Sequence, residues 1–176
     1  MLKLSKSLFN QPIMSLRLGG QIGTAIEPII NPHNLNIMGW WCQTPRAQRL
    51  VLLAEDVRQI MGDGLAVDDE DDLAPAGDLA RHHEILEINF KLLDKPVRTK
   101  RARLGKVSDF SYNEGLFVQK LYVAKPLRKI LTTEDTLLID RTQILEITDN
   151  HILVRDTDIS VSESELAAAP DALPAT

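Results

Sequence analysis

Apolar and polar residues alternate over short runs through most of this chain, and turn residues punctuate those runs at close intervals. Gln21 to Ile30 and Leu35 to Cys42 are rich in isoleucine and aromatic residues, and Asn31-Pro32-His33-Asn34 separates them with loop chemistry. The same pattern returns later: Leu104 to Phe110, a turn at Tyr112-Asn113-Glu114-Gly115, then Leu116 to Val123. Gly62-Asp63-Gly64 and Asp149-Asn150 interrupt two further apolar runs with residues that tolerate positive φ, which marks short hairpins. Pro28 falls inside a strand-like run and is expected at an edge or a bulge. Many short strands with frequent turns predict a mainly β fold, a small sandwich or barrel.

The runs also repeat. Leu8-Phe9-Asn10-Gln11-Pro12-Ile13-Met14-Ser15 aligns with Leu92-Leu93-Asp94-Lys95-Pro96-Val97-Arg98-Thr99. Ile22-Gly23-Thr24-Ala25 aligns with Leu104-Gly105-Lys106-Val107, and Val57 to Val67 aligns with Ile144 to Val154. Three windows in the same order, with turn residues in matching places, indicate two copies of one plan.

Between the copies the pattern changes. Asp68-Asp69-Glu70-Asp71-Asp72 runs into Pro75-Ala76-Gly77 and reads as an acidic linker. Asp78 is placed to cap a helix whose apolar face is Leu79, His83, Leu86, Phe90 and Leu93. Beyond residue 160 the chain is polar and small, with an alanine run and two prolines. The expected organisation is a first domain over 1–73, a second over 78–160 that opens with the linking helix, and a flexible tail over 161–176.

The apolar share of 44% and charged share of 26% fit a soluble globular protein. No apolar run approaches the length of a membrane-spanning helix, and the first residues do not form a secretory signal. The single cysteine, Cys42, has no internal disulfide partner, so a cytoplasmic setting is expected. Net charge is −5 but uneven: residues 1–64 carry +2, 65–94 carry −7, 95–129 carry +8 and 130–176 carry −8.

That basic block holds the main candidate for function. Its core, Lys95, Arg98, Lys100, Arg101, Arg103 and Lys106, could meet phosphate or an acidic protein, or simply form a solvated turn facing Asp68 to Asp72. No aromatic residues interleave with them, which counts against stacking on single-stranded RNA. Trp40-Trp41 is the second candidate. Neighbouring strand residues point to opposite faces, so one indole should fill the core while the other anchors a contact or lies beneath the linking helix.

Chemistry-bearing constellations are otherwise sparse. His82 and His83 are adjacent and point about 100° apart on a helix, so they do not form a metal-binding pair. The acidic run lacks the alternate spacing and distal glutamate of a calcium loop. Gly19-Gly20-Gln21-Ile22-Gly23 precedes a strand rather than a helix and is read as turn glycines. No catalytic residues, metal or cofactor are expected.

Leu93 to Thr99, Leu104-Gly105-Lys106-Val107-Ser108-Asp109-Phe110 and Leu137 to Val154 together resemble the PRC-barrel family. The first copy keeps Gln11-Pro12-Ile13 and Ile22-Gly23, with Ala25 and Glu27 where the family pattern has valine and aspartate. The resemblance covers roughly residues 8–67 and 92–156. It implies two tandem small PRC-like β-barrels joined by the acidic linker and helix. The family includes the cytoplasmic part of the photosynthetic reaction-centre H subunit and the C-terminal domain of the bacterial ribosome maturation factor, both of which use the barrel to bind other macromolecules. The implied role is a non-catalytic protein-interaction or assembly module, compatible with homo-oligomers. An RNA- or ribosome-associated factor that contacts phosphate through 95–106 is the alternative. The composition of the tail yields one expectation: deleting 161–176 should leave the melting temperature almost unchanged. A drop of more than about 4 °C, equivalent to ~1 kcal/mol or more, would show that the segment docks.

Overall fold

A computed structural model of the chain describes residues 1–125 and 136–156; the tail assigned to 161–176 lies outside them. In chain order the strands of the first half are β1 (Lys3–Leu4), β2 (Gln11–Ser15), β3 (Gly20–Ile30), β4 (Ile37–Gln43), β5 (Arg49–Leu53), β6 (Val57–Ile60), β7 (Leu65–Val67) and β8 (Leu73–Ala74). A six-residue helix α1 (His83–Ile88) follows. The second half contains β9 (Pro96–Arg98), β10 (Arg103–Tyr112), β11 (Val118–Ala124), β12 (Thr136–Asp140), β13 (Ile144–Ile147) and β14 (Ile152–Val154). They build two curled, seven-stranded sheets.

Both sheets have one strand order. The first runs β6-β7-β2-β3-β4-β5 with β8 added at its end, and the second runs β13-β14-β9-β10-β11-β12 with β1 added on β10. Register repeats with the order. Ile13 faces Gly23 and Leu65, as Val97 faces Gly105 and Ile152. The bulge between Ala25 and Glu27 recurs between Val107 and Asp109, and that between Ile29 and Ile30 recurs between Ser111 and Tyr112. Bulges bend a strand at a fixed point, so matching bulges give the two sheets matching curvature. Pro28 sits just past the first of these bulges, beyond the last β2 pairing, where its missing N–H breaks no ladder on that side.

The alternation seen in sequence places equivalent residues in the core. Ile13 and Val97, Ala25 and Val107, Ile37 and Val118, Trp40 and Leu121, Leu52 and Ile139, and Leu65 and Ile152 are all buried. They belong to one continuous apolar cluster that crosses both sheets, so the halves share a core. Burial of each isoleucine, leucine or valine among them contributes about 1.5–3 kcal/mol.

The halves meet through equivalent residues. Ile37 N–H donates to the Leu116 carbonyl at 2.7 Å, and Val118 N–H donates to the Leu35 carbonyl at 3.0 Å. Leu35 and Leu116 both adopt positive φ, 56° and 59°, and Asn36 bridges Phe117 between them. Each bond maps onto the other when the halves are exchanged, which is the geometry of a two-fold contact within one chain.

The segment between the sheets differs from its sequence reading. Asp78 closes a short 3-10 turn, Ala76–Asp78, and does not cap α1, whose N-cap is His82 without a side-chain bond. Asn89, in the left-handed conformation at φ 47°, ends the helix after Ile88. Phe90 and Leu92 then turn into the shared core, while Leu86 covers the outer face of the first sheet. The helical spacing was therefore divided between two surfaces. The acidic run is also tied into the fold: Asp69 and Asp72 cap a 3-10 turn reciprocally, and β8 follows on the edge of β5. Lys3 and Leu4, placed by sequence with the first half, pair with Tyr112 and Ser111 of the second.

Glycine carries unequal demands at the two equivalent positions. At Gly105 φ is +153°, and an added Cβ would lie 1.9 Å from the Ala124 carbonyl oxygen. At Gly23 the matching oxygen, of Gln43, would be 3.1 Å away. Gly105→Ala should lose roughly 3 kcal/mol or more of stability and Gly23→Ala about 1 kcal/mol, read by urea unfolding. Equal losses would contradict this close approach.

Candidate functional site

The two tryptophans separate as strand geometry requires. Trp40 is fully buried in the shared core, whereas Trp41 faces outward. Trp41 packs on the cluster of Ile29, Val51, Leu53 and Leu86, which Leu79 and Ile85 complete from above. Arg49 stacks over its ring at 4.1 Å. Of the two alternatives for the outward indole, the structure shows the one beneath the helical segment, so Trp41 is half-buried by its own chain.

The acidic run finds its cations at home. Arg17 pairs with Asp69 at 2.6 Å, and the Arg58 Nε lies 2.8–2.9 Å from the Asp68 carboxylate. The hydrogen bond from Arg58 holds the Asp68 carboxyl below its ordinary range. Among the described residues no cation of 95–106 reaches Asp68 to Asp72 within ion-pair distance, so the reading in which the two segments face each other is not what the fold builds.

The basic residues instead belong to a groove on the outer face of the second sheet. Pro96 on β9, Lys106 on β10 and Ala124 on β11 form a cross-strand row. Around this row a groove of about 620 Å³ is lined by Arg98, Arg103, Lys106, Lys125 and His151, over an apolar floor that includes Pro96 and Ala124. Among the described residues Asp94 is the one carboxylate on its wall. Lys95 stands beside the groove, donating to the Asp149 carbonyl at 2.8 Å and covering Phe90 at 4.6 Å; burial holds its ammonium below the ordinary pKa.

The predicted basic segment divides here. Arg98 and Arg103 line the groove directly opposite each other across β9 and β10. Lys100 and Arg101 lie in the connecting turn, and Arg101 pairs with Asp156 at 3.3 Å. Like charges facing each other across a strand pair oppose folding. The repeat supplies a comparison within the molecule: the equivalent pair in the first half is Met14 opposite Gln21, and Lys106 and Lys125 replace Thr24 and Thr44. Four neutral positions of one half are cationic in the other, on the same backbone. Lys106 belongs to the basic segment 95–106 read from sequence, whereas Lys125 and His151 were missed as site residues, although a charge comparison of the aligned copies would have marked Lys125.

Cys42, on the buried face of β4, has its thiol pushed up to about 12 by desolvation. Among the described residues no three His, Cys, Asp or Glu side chains gather as a metal site, and no helix is long and apolar enough to cross a membrane. Compared with known protein families and with curated proteins, the chain finds no match.

The buried thiol generates a direct test. In the native protein at pH 8, Cys42 should resist Ellman's reagent, and one thiol per chain should react after unfolding in guanidinium, because the thiolate is the reactive form. Fast reaction in the folded state would contradict the burial.

Proposed function

We propose that this chain is a non-catalytic protein-interaction or assembly module built from two PRC-barrel-like halves. The observation that carries the reading is the repeated scaffold whose outer face is altered in one half only. Its interior is filled by apolar side chains from both copies, so recognition belongs outside. Selection for stability alone would not set Arg98 against Arg103, and departures of this kind concentrate at functional surfaces. The buried lone cysteine fits a reducing compartment such as the cytoplasm.

A second reading has one observation in its favour: the same cations suit phosphate, and an RNA- or ribosome-associated role would use them. Among the described residues the groove wall carries no Phe, Tyr or Trp on which a base would stack, which favours a protein partner.

Arg98→Glu with Arg103→Glu separates the two. Both side chains are exposed, so the variant should stay folded by circular dichroism, within about 0.5 kcal/mol per substitution. Immobilised wild type should capture a protein partner from cell extract, identified by mass spectrometry, and the variant should lose it. Tight RNA binding by the wild type that falls steeply with salt and vanishes in the variant would overturn the protein-partner reading.

A further inference from the structure

The groove has a counterpart on the opposite half of the same chain. The turn between β2 and β3, Leu16-Arg17-Leu18-Gly19, projects two leucines that are 63% and 55% exposed. It is held stiffly: Leu16 N–H donates to the Val67 carbonyl at 2.9 Å, Arg17 N–H to the Asp68 carbonyl at 3.0 Å, and Leu18 N–H to Ser15 Oγ at 3.1 Å. These bonds place the leucines beside the acidic run. Arg17 is consumed by Asp69 and Arg58 by Asp68, whereas exposed Glu70 and Asp71 have no cation within ion-pair distance among the described residues. The result is a preorganised apolar knob with an acidic flank.

The matching turn of the second half, Lys100-Arg101-Ala102, offers no large apolar side chain, and the matching face of the first half lacks the cations. Each chain therefore carries one knob and one groove. Among the described residues the groove is lined only by positions between 94 and 151, so the first half's own knob does not enter it.

We propose that the groove of one copy receives the Leu16–Leu18 knob of a second copy, with Glu70 and Asp71 meeting Arg98, Arg103 and Lys106. The apolar floor takes the leucines and the cationic rim takes the carboxylates, so both parts of the knob have a complement. Such a contact joins different surfaces and leaves a free knob and a free groove at its ends. It therefore propagates head to tail as a ring or an open chain. This inference rests on the interaction-module reading and names the partner for its groove.

Sedimentation of the full chain tests it. At low ionic strength the wild type should form species larger than dimers as concentration rises, with association weakened about tenfold or more at physiological salt. The groove variant Arg98→Glu/Arg103→Glu and the knob variant Leu16→Ser/Leu18→Ser should each sediment as monomers. Mixed together they should give a one-to-one dimer and nothing larger, since one supplies the only intact knob and the other the only intact groove. A monomeric wild type at low salt, self-association by either variant alone, or a mixture that stays monomeric would overturn the proposal. If the wild type stays monomeric while the groove variant still loses a captured protein, self-docking fails and the interaction-module reading survives. Salt-sensitive RNA binding by a monomeric wild type would overturn both.

Discussion

Ile37 donates to Leu116 and Val118 donates to Leu35, and these two backbone bonds set how the halves of the molecule meet. They need Leu35 and Leu116 in the left-handed region, a conformation that ordinary side chains rarely adopt. The strain is tolerated because the surroundings hold both positions: each leucine begins the approach to a strand whose next inward residue, Ile37 or Val118, is fully buried. With the hairpins joined in this way, apolar faces that would otherwise end at each half close over one another. A half of this length buries only a modest fraction of its surface alone, and the shared cluster makes up the difference.

The two-fold contact also explains where asymmetry is found. Residues inside both sheets are constrained by the common core and stay apolar in both copies. Residues outside are free to diverge, and they have. β1 covers an edge of β10 in the second half, while the 3-10 turns and α1 cover the outer face of the first. Among the described residues, a leucine turn flanked by acids in the first half and a cationic groove in the second stay exposed. Charge is segregated along the chain and also in space: among the described residues Arg17 and Arg58 neutralise only part of the acidic run, and Arg101 alone of the basic turn finds a carboxylate.

Much of the scaffold was legible from residues. Strand positions followed from alternation, hairpins from Gly62-Asp63-Gly64 and Asp149-Asn150, and the duplication from three aligned windows. The site was legible only in part. Arg98 and Arg103 stood out by charge, but nothing local distinguished them from Lys100 and Arg101, which point elsewhere because they occupy the turn. Lys106 and Lys125 gain their role by lying on neighbouring strands, which is a matter of register and not of nearness along the chain.

The sequence by itself determined the mainly β character, the repeat and the identity of the buried positions, since each depends on periodicity that a strand reads locally. Tertiary structure decided the rest. Phe90 and Leu92 share a helical spacing with Leu86, yet Asn89 ends the helix and sends them to a different core. The acidic run looks like a solvated linker, yet Arg17 from the β2–β3 turn and Arg58 from β6 hold it. Trp41 looks like a free anchor, yet the chain folds its own helix over it. In each case the outcome depends on how the folded sheets pack, which no local periodicity records.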